Sequence, residues 1–315
     1  MNLRIGSRGS QLALWQAGHI AALLRAQGHT AEIRILKTTG DQMQDLSFAQ
    51  VGSITGTKGL FTKEIEEALA AGEVDLAVHS LKDLPTELPA PFTLAATSAR
   101  VDPRDVFVSV AHLSLAALPP GARVGTSSQR RRAQLKALRS DLQAIEFRGN
   151  VDTRLRKLAE GQVDAILLAA AGLDRLERAE WVRERLEPSQ FCPAAGQGAL
   201  GIEARLGDEP VLSALAFLND PATRYAVTAE RAALAALGGG CQVPIGIHVR
   251  PHPEAPQQVE LFAVVAVPET GAAVRVHHVA ERAATQPEAL GRLAARMLLD
   301  SGAGPLLTFS APSAM

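Results

Sequence analysis

Along the first two-thirds of the chain, apolar positions switch repeatedly between two periods. Short β-branched or aliphatic runs are followed by stretches in which apolar residues recur every three or four positions. That alternation predicts strands followed by helices and hence an α/β architecture with parallel sheets. Leu3-Arg4-Ile5 reads as a strand and Gly6 to Gly9 as a turn. Ser10 is placed to cap a helix that carries Leu12, Leu14, Trp15, Ile20, Leu23 and Leu24 as far as Gly28. Glu32 to Leu36 predicts a second strand. Phe61 to Ala71 reads as a helix ended by Gly72, and Asp75 to His79 as a third strand.

The same layout returns further on. Leu69-Ala70-Ala71-Gly72-Glu73-Val74-Asp75 is echoed by Leu158-Ala159-Glu160-Gly161-Gln162-Val163-Asp164, each a helix end feeding a strand. Arg4-Ile5-Gly6-Ser7 with Ser10-Gln11 is echoed by Arg123-Val124-Gly125-Thr126 with Ser128-Gln129. Two such echoes predict two similar α/β lobes rather than a solenoid, which needs several short repeats. Ala99 to Pro103 is the expected link between the lobes, and Pro193 to Gly198 the expected return. Asn219-Asp220-Pro221 opens a helical pattern over 222–237, with Asp220 as cap and Pro221 in the first turn. Alternating runs near 243–249, 259–267 and 274–280, then a helix over 287–300, predict a small α+β third domain. The Gly/Pro/Ser-rich tail after Ser301 is expected to be loose. The boundaries expected are 1–98 with 198–218 for the first domain, 102–193 for the second and 220–315 for the third.

Composition narrows the class. The 315 residues are 47% hydrophobic and 21% charged, enough apolar material for a real core. There is no run of membrane-spanning length and no secretory h-region at the N-terminus, and two cysteines make no disulfide framework. A cytoplasmic protein without membrane contact is expected. The net charge of −1 and an aromatic content of 4% argue against a general nucleic-acid binder. Charge placement alters the picture more than its total. Of 32 basic residues six are lysine, so 26 are arginine, and residues 123–157 hold ten basic side chains against three acidic ones.

Those arginines recur at one kind of position. Gly6-Ser7-Arg8-Gly9-Ser10 and Gly125-Thr126-Ser127-Ser128-Gln129-Arg130-Arg131-Arg132 each join a strand to a helix N-terminus, where backbone N–H groups and the helix dipole favour anions. Neither has the spacing of a dinucleotide fingerprint or a P-loop. Arg148 and Arg154 follow a strand around 144–147, and Arg175 follows a strand ending near Ala169. Each alone reads as well as a solvated or structural residue. Together, at the carboxyl ends of strands, they point to a ligand with several carboxylates or phosphates. Three consecutive arginines on a helix cannot all point one way; two, Arg130 and Arg131, are expected inward. Lys82-Asp83 after the third strand reads either as a surface salt bridge or as a carboxylate set among cations, able to move protons or stabilise a cationic intermediate. His79, on an apolar strand, reads as a satisfied core histidine. Gly238-Gly239-Gly240-Cys241 gives up backbone order beside a cysteine; Cys241 reads either as a small buried hydrophobe, the commoner case, or as a thiol that the loop sets against something bulky. No Cys/His pair has metal-ligand spacing, so no metal is expected.

These segments together resemble the porphobilinogen deaminase (hydroxymethylbilane synthase) family over residues 3–249. The landmarks are Val78-His79-Ser80-Leu81-Lys82-Asp83-Leu84-Pro85, Val124-Gly125-Thr126-Ser127-Ser128, Arg148-Gly149-Asn150-Val151, Gly196-Gln197-Gly198-Ala199 and Gly239-Gly240-Cys241-Gln242-Val243-Pro244-Ile245-Gly246. The resemblance implies two type II periplasmic-binding-protein-like lobes with mainly parallel sheets, an active cleft between them, and a small C-terminal α+β domain. It implies a monomer with a dipyrromethane cofactor held by a thioether to Cys241, and no metal. It also implies stepwise condensation of four porphobilinogens to the linear tetrapyrrole hydroxymethylbilane, each losing ammonia to give an azafulvene-like cation. By the residue-wise match Asp83 is the catalytic carboxylate. Lys82, Asp83, Thr126, Ser128, Arg130 and Arg131 would hold the cofactor, and Arg8, Ser10, Arg148, Arg154 and Arg175 the carboxylates of substrate and growing chain. Gln16, Lys58 and Gln197 are secondary candidates. The sequence departs from the family at 51–57, a longer loop than usual, and at Gly238 and Gln129.

Two rival readings remain at this point: a non-catalytic solute-binding module for a polycarboxylate, and a phosphoribosyl-transfer enzyme on a similar lobed fold. The first gives the Gly-Gly-Cys-Gln loop nothing to do. The second needs a pyrophosphate loop and metal-binding carboxylates that are not found.

Overall fold

The computed structural model describes residues 1–38, 62–238 and 244–308. Within them the chain forms two compact units. One comprises Met1–Val101, Arg175–Glu177 and Ala199–Arg224; the other comprises Asp102–Asp174, Arg178–Gly198 and Tyr225–Met315.

In the first unit the chain runs through β1 (Asn2–Ser7), α1 (Gln11–Ala26), β2 (Thr30–Ile35), α2 (Lys63–Ala70), β3 (Leu76–Ser80) and β4 (Phe92–Thr97), and later adds β10 (Leu200–Arg205). The sheet order is β2-β1-β3-β10-β4, in which β10 alone runs against the other four. Period-two alternation puts Leu3, Ile5, Leu76, Val78 and Ile202 on one face, where they pack with Ile20 and Leu24 of α1. Val74 and Ala77 meet Ile65 and Leu69 of α2 in a second cluster. Each fully buried Leu or Ile stabilises the fold by about 1.5–3 kcal/mol before entropy is counted.

The second unit repeats the plan. It contains β5 (Asp105–Val108), β6 (Arg123–Gly125), α3 (Gln129–Leu138), β7 (Gln143–Ile145), α4 (Val151–Ala159), β8 (Ala165–Ala169), α5 (Ala170–Arg175, whose last residue groups with the first unit) and β9 (Val182–Arg185). The order β7-β6-β8-β5-β9 again has one strand, β5, opposed to four. Both sheets are thus mainly parallel, as expected, with β6, β7 and β8 standing where β1, β2 and β3 stand.

The two sequence echoes prove to be partners. In the first unit the Arg4 backbone N–H and guanidinium donate to Asp75, at 2.8 Å from the amide, 3.0 Å from Nε and 2.7 Å from Nη2. In the second, Arg123 treats Asp164 identically, at 2.7, 3.3 and 3.1 Å. In return the amides of Asp75 and Asp164 donate to the carbonyls of Arg4 and Arg123 at 2.8 and 2.9 Å. Each pair pins the start of the first parallel strand to the entry of the third, which fixes register on a sheet that a one-residue slip would turn inside out.

The unit is completed by α7 (Pro221–Ala236, whose first four residues group with the first unit), which follows α6 (Glu209–Leu215) of the first unit, and by a three-stranded antiparallel sheet of β11 (Ile245–Pro251), β12 (Gln258–Ala266) and β13 (Ala273–Glu281). Helices α8 (Pro287–Leu298) and α9 (Gly304–Thr308) close the chain. Asp220 Oδ1 accepts from Thr223 N–H at 2.7 Å, the cap expected from Asp-Pro. Ile247, Val249, Leu261 and Val265 pack on Ala229, Ala233, Leu290 and Leu298. The expectation of a loose tail after Ser301 is corrected for residues 301–308. Gly302, at φ 94°, turns the chain back, and Leu306 and Leu307 then pack against that same core. Polar composition concealed two apolar anchors. No helix among the described residues is long and apolar enough to cross a membrane.

Candidate functional site

In open α/β sheets the carboxyl ends of parallel strands are where ligand groups collect. In the first unit, Arg8 and Ser10 follow β1, and Lys82 and Asp83 form a single 3-10 turn directly after β3, the parallel neighbour of β1. Ser10 caps α1 by accepting from Ala13 N–H at 3.3 Å. One and a half turns on, Gln16 is buried and its Nε2 donates to Ser80 Oγ at 2.8 Å, tying the helix to the strand end that presents Lys82 and Asp83. Arg8, Ser10, Gln16, Lys82 and Asp83 therefore share one edge of the sheet, with Asp83 exposed and Lys82 half-buried. Arg175 groups with this unit; its Cζ lies 5.8 Å from the Trp15 ring centroid, and Trp15 stacks on His19 at 5.2 Å. Partial burial and the nearby Arg175 charge push the His19 imidazolium below its ordinary pKa. The sequence had shown Trp15 only as an apolar helix position, and had not singled out His19.

The second unit builds the corresponding edge with more charge. Ser128 caps α3 by accepting from Arg131 N–H, and the buried Thr126 Oγ1 accepts from Ser128 N–H at 3.2 Å. After β7, Arg148 and Gly149 lead to Asn150, which caps α4 by accepting from Thr153 N–H at 2.9 Å. Gly149 sits at φ 120°, where a Cβ would strike Thr153, so the tight approach to α4 requires glycine. Two capped helix N-termini thus flank two adjacent parallel strand ends, with arginines on both.

Of the three consecutive arginines, Arg130 and Arg131 are buried, as expected, whereas Arg132, expected outward, is half-buried. What they meet was not expected. Asp105, fully buried, accepts from Arg130 Nη1 at 2.6 Å and from Arg131 Nη2 at 2.7 Å, and from Gln197 Nε2 at 3.0 Å. Burial alone would raise this carboxyl group; the two guanidinium charges outweigh it and hold Asp105 well below the usual carboxylate range. Arg130, Arg131 and Gln197 are therefore brought together by an acid that sequence reading missed. Its only signal was one acidic residue entering the apolar run Val106-Phe107-Val108.

Charge remains in excess. Arg148 Nε donates to Glu146 at 2.7 Å, whereas Arg154 Nε donates to the Gly149 carbonyl at 2.7 Å and meets no carboxylate among the described residues. Burial, then the charges of Arg131 and Arg148, push Arg154 down to about 10. A guanidinium destabilised by two others marks a place for an anion.

His79 is the core histidine expected: its Nε2 lies 3.0 Å from Glu203 Oε2, both buried. Cys192 is fully buried, its Sγ donates to the Phe262 carbonyl at 3.4 Å, and burial pushes the thiol far above its ordinary pKa, so it cannot serve as a nucleophile. Cys241 and Lys58 lie outside the described residues.

Comparison with known proteins adds the following. Residues 3–213 match the family model for the porphobilinogen deaminase dipyrromethane cofactor-binding domain, and residues 224–300 the model for that family's C-terminal domain. The chain is 50% identical over 308 residues to a porphobilinogen deaminase of Roseiflexus castenholzii, covering 97% of this chain and 98% of that one. It is 49% identical over 313 residues to one of Bordetella parapertussis, covering 99% and 97%. Among solved structures, it is similar to a periplasmic VFT2 domain of Bordetella pertussis at 15% identity and a TM-score of 0.42, over 68% of this chain and 85% of that one.

Proposed function

The chain belongs to the porphobilinogen deaminase family, and on that premise we propose how its residues divide the work. It is a transferase of tetrapyrrole biosynthesis that condenses porphobilinogen head to tail, with loss of ammonia, into hydroxymethylbilane. The solute-binding alternative is set aside, since both family models, the cofactor-binding one included, match.

The observation that carries the assignment is the Arg131–Arg148–Arg154 cluster between two capped helix N-termini. A dipyrromethane bears acetate and propionate arms on each ring, so it brings several carboxylates to Arg154, a guanidinium that burial and the charges of Arg131 and Arg148 destabilise. The donor set fits the group. When bound, the dipyrromethane supplies the free ring carbon to which substrate units are added. Thr126, Ser128, Arg130, Arg131 and Lys82 would hold its carboxylates. Arg8, Ser10, Arg148, Arg154 and Arg175 take those of substrate and growing chain, with Gln16, Gln197 and Lys58 in support. Asp83 stands as an exposed carboxylate beside Lys82, suited to accept from pyrrole N–H groups and to stabilise positive charge as ammonia leaves. Cys241 carries the thioether, the role that burial denies to Cys192.

We propose further that the enzyme works as a cytoplasmic monomer, without nucleic-acid or membrane partners, and that residues 220–315 form a third domain presenting the Cys241 loop. Arg154→Gln tests the carboxylate assignment. Losing one charge-assisted contact should raise the porphobilinogen KM about 10–100-fold, while removal of like-charge repulsion leaves the melting temperature equal or higher. An unchanged KM would remove Arg154 from the binding set.

A further inference from the structure

The antiparallel C-terminal sheet has two unlike faces. Ile247, Val249, Leu261, Val265 and Val274 point to the helices of the hydrophobic core. The alternate positions carry chemistry: cross-strand register sets His248, Phe262 and His277 in one row, Arg250 and Glu260 in the next, and Val264 and Arg275 in the row on the other side. Part of this second face is covered, since Phe262, Val264 and Ala266 pack on Ala133 of α3 and on Cys192. The remainder opens into a pocket of about 450 Å³ lined by Cys192, Arg250, Glu260, Phe262, Arg275 and His277, with Pro188 at its margin. That volume is in the range of small-molecule sites.

Two features define what such a pocket accepts. Phe262 stacks on His277 with ring centroids 4.8 Å apart and planes within 15°, and the Arg250 guanidinium lies 5.1 Å from the Phe262 centroid, so flat groups are already layered there. The charges do not cancel. Glu260 serves both Arg250, at 2.8 Å, and His277, at 2.9 Å, while Arg275 meets no carboxylate among the described residues. Partial burial holds the Arg275 guanidinium below its ordinary value, while the residue as a whole stays exposed to an incoming ligand.

We propose that this pocket is a binding site for a small aromatic carboxylate, its ring laid against the exposed imidazole of His277, which itself stacks on the buried Phe262, and its carboxylate taken by Arg275. The site is lined by none of the strand-end arginines, and none of its charged residues is among those proposed above for the condensation. One residue touches both regions. Cys192 lines the pocket, and its carbonyl accepts from Arg130 Nη1 at 2.7 Å and Gln134 Nε2 at 2.9 Å.

Calorimetric titration of the purified holoenzyme with indole-3-propionate, at fixed ionic strength, tests the proposal. Saturable binding is expected, at least tenfold weaker in Arg275→Gln and at least tenfold weaker for the neutral indole-3-propionamide. Porphobilinogen turnover by Arg275→Gln without the probe should equal that of the unaltered enzyme. Three results would each overturn the site: no saturable binding, equal binding of the amide, or binding unchanged in Arg275→Gln, which would put the probe on the strand-end arginines instead.

Discussion

Asp83→Ala is expected to slow chain elongation by about 10²–10³-fold, the usual effect of removing one preorganised electrostatic partner from a transition state. The reaction creates positive charge on a pyrrole as ammonia departs, and an exposed carboxylate at the end of β3 is what this edge offers to oppose it. The turn that carries Asp83 is held by backbone bonds that alanine retains: Leu81 N–H donates to the Ala199 carbonyl at 3.0 Å and Leu84 N–H to the Leu81 carbonyl at 3.2 Å. The variant should therefore melt with the unaltered protein while stalling in single-turnover assays with porphobilinogen. Asp83→Glu should recover part of the rate. Near-normal turnover of Asp83→Ala would remove the residue from the chemistry.

The second large effect is on stability. Asp105→Asn leaves Arg130 and Arg131 buried beside a neutral amide, and breaking a buried pair from one side costs about 3–5 kcal/mol. Because the folded-state pKa of Asp105 is depressed, its contribution is fully present above the ordinary carboxylate range and is lost as pH falls through and below it. The variant should show a large drop in melting temperature at neutral pH and a flatter decline on acidification than the unaltered protein. An equal melting temperature at neutral pH would contradict the account. The same change should loosen the cofactor, since Asp105 orients two of the arginines assigned to it.

How much of this could be read beforehand follows the range of each interaction. Ser10, Ser128 and Asp220 act on amides three residues away, so the caps and helix starts were legible. The duplicated lobes were legible as paired echoes, because Arg4 with Asp75 and Arg123 with Asp164 repeat one local design at matching places. The placement of Arg8, Arg148 and Arg175 after strands was legible, because strand ends are marked locally by the turns and caps that follow them. Asp105 was not. Its partners Arg130, Arg131 and Gln197 lie 25, 26 and 92 positions away, and only the folded chain brings them to it. The same distance hid the buried Glu230, which accepts from Gly196 and Val249 N–H at 2.7 and 2.8 Å. The helical ending over 304–308 was missed because glycine and proline outweighed Leu306 and Leu307 in the reading. Family resemblance, rather than spacing, supplied the chemistry of Asp83 and Cys241.

A dipyrromethane held covalently on Cys241 is proposed to prime the condensation. Intact-protein mass spectrometry of the chain, purified from a porphobilinogen-producing host, tests it most directly. The expected result is a dipyrromethane adduct on the unaltered protein, retained in Cys192→Ala and absent in Cys241→Ala. An unmodified mass for the unaltered protein, or an adduct that survives Cys241→Ala, would contradict it.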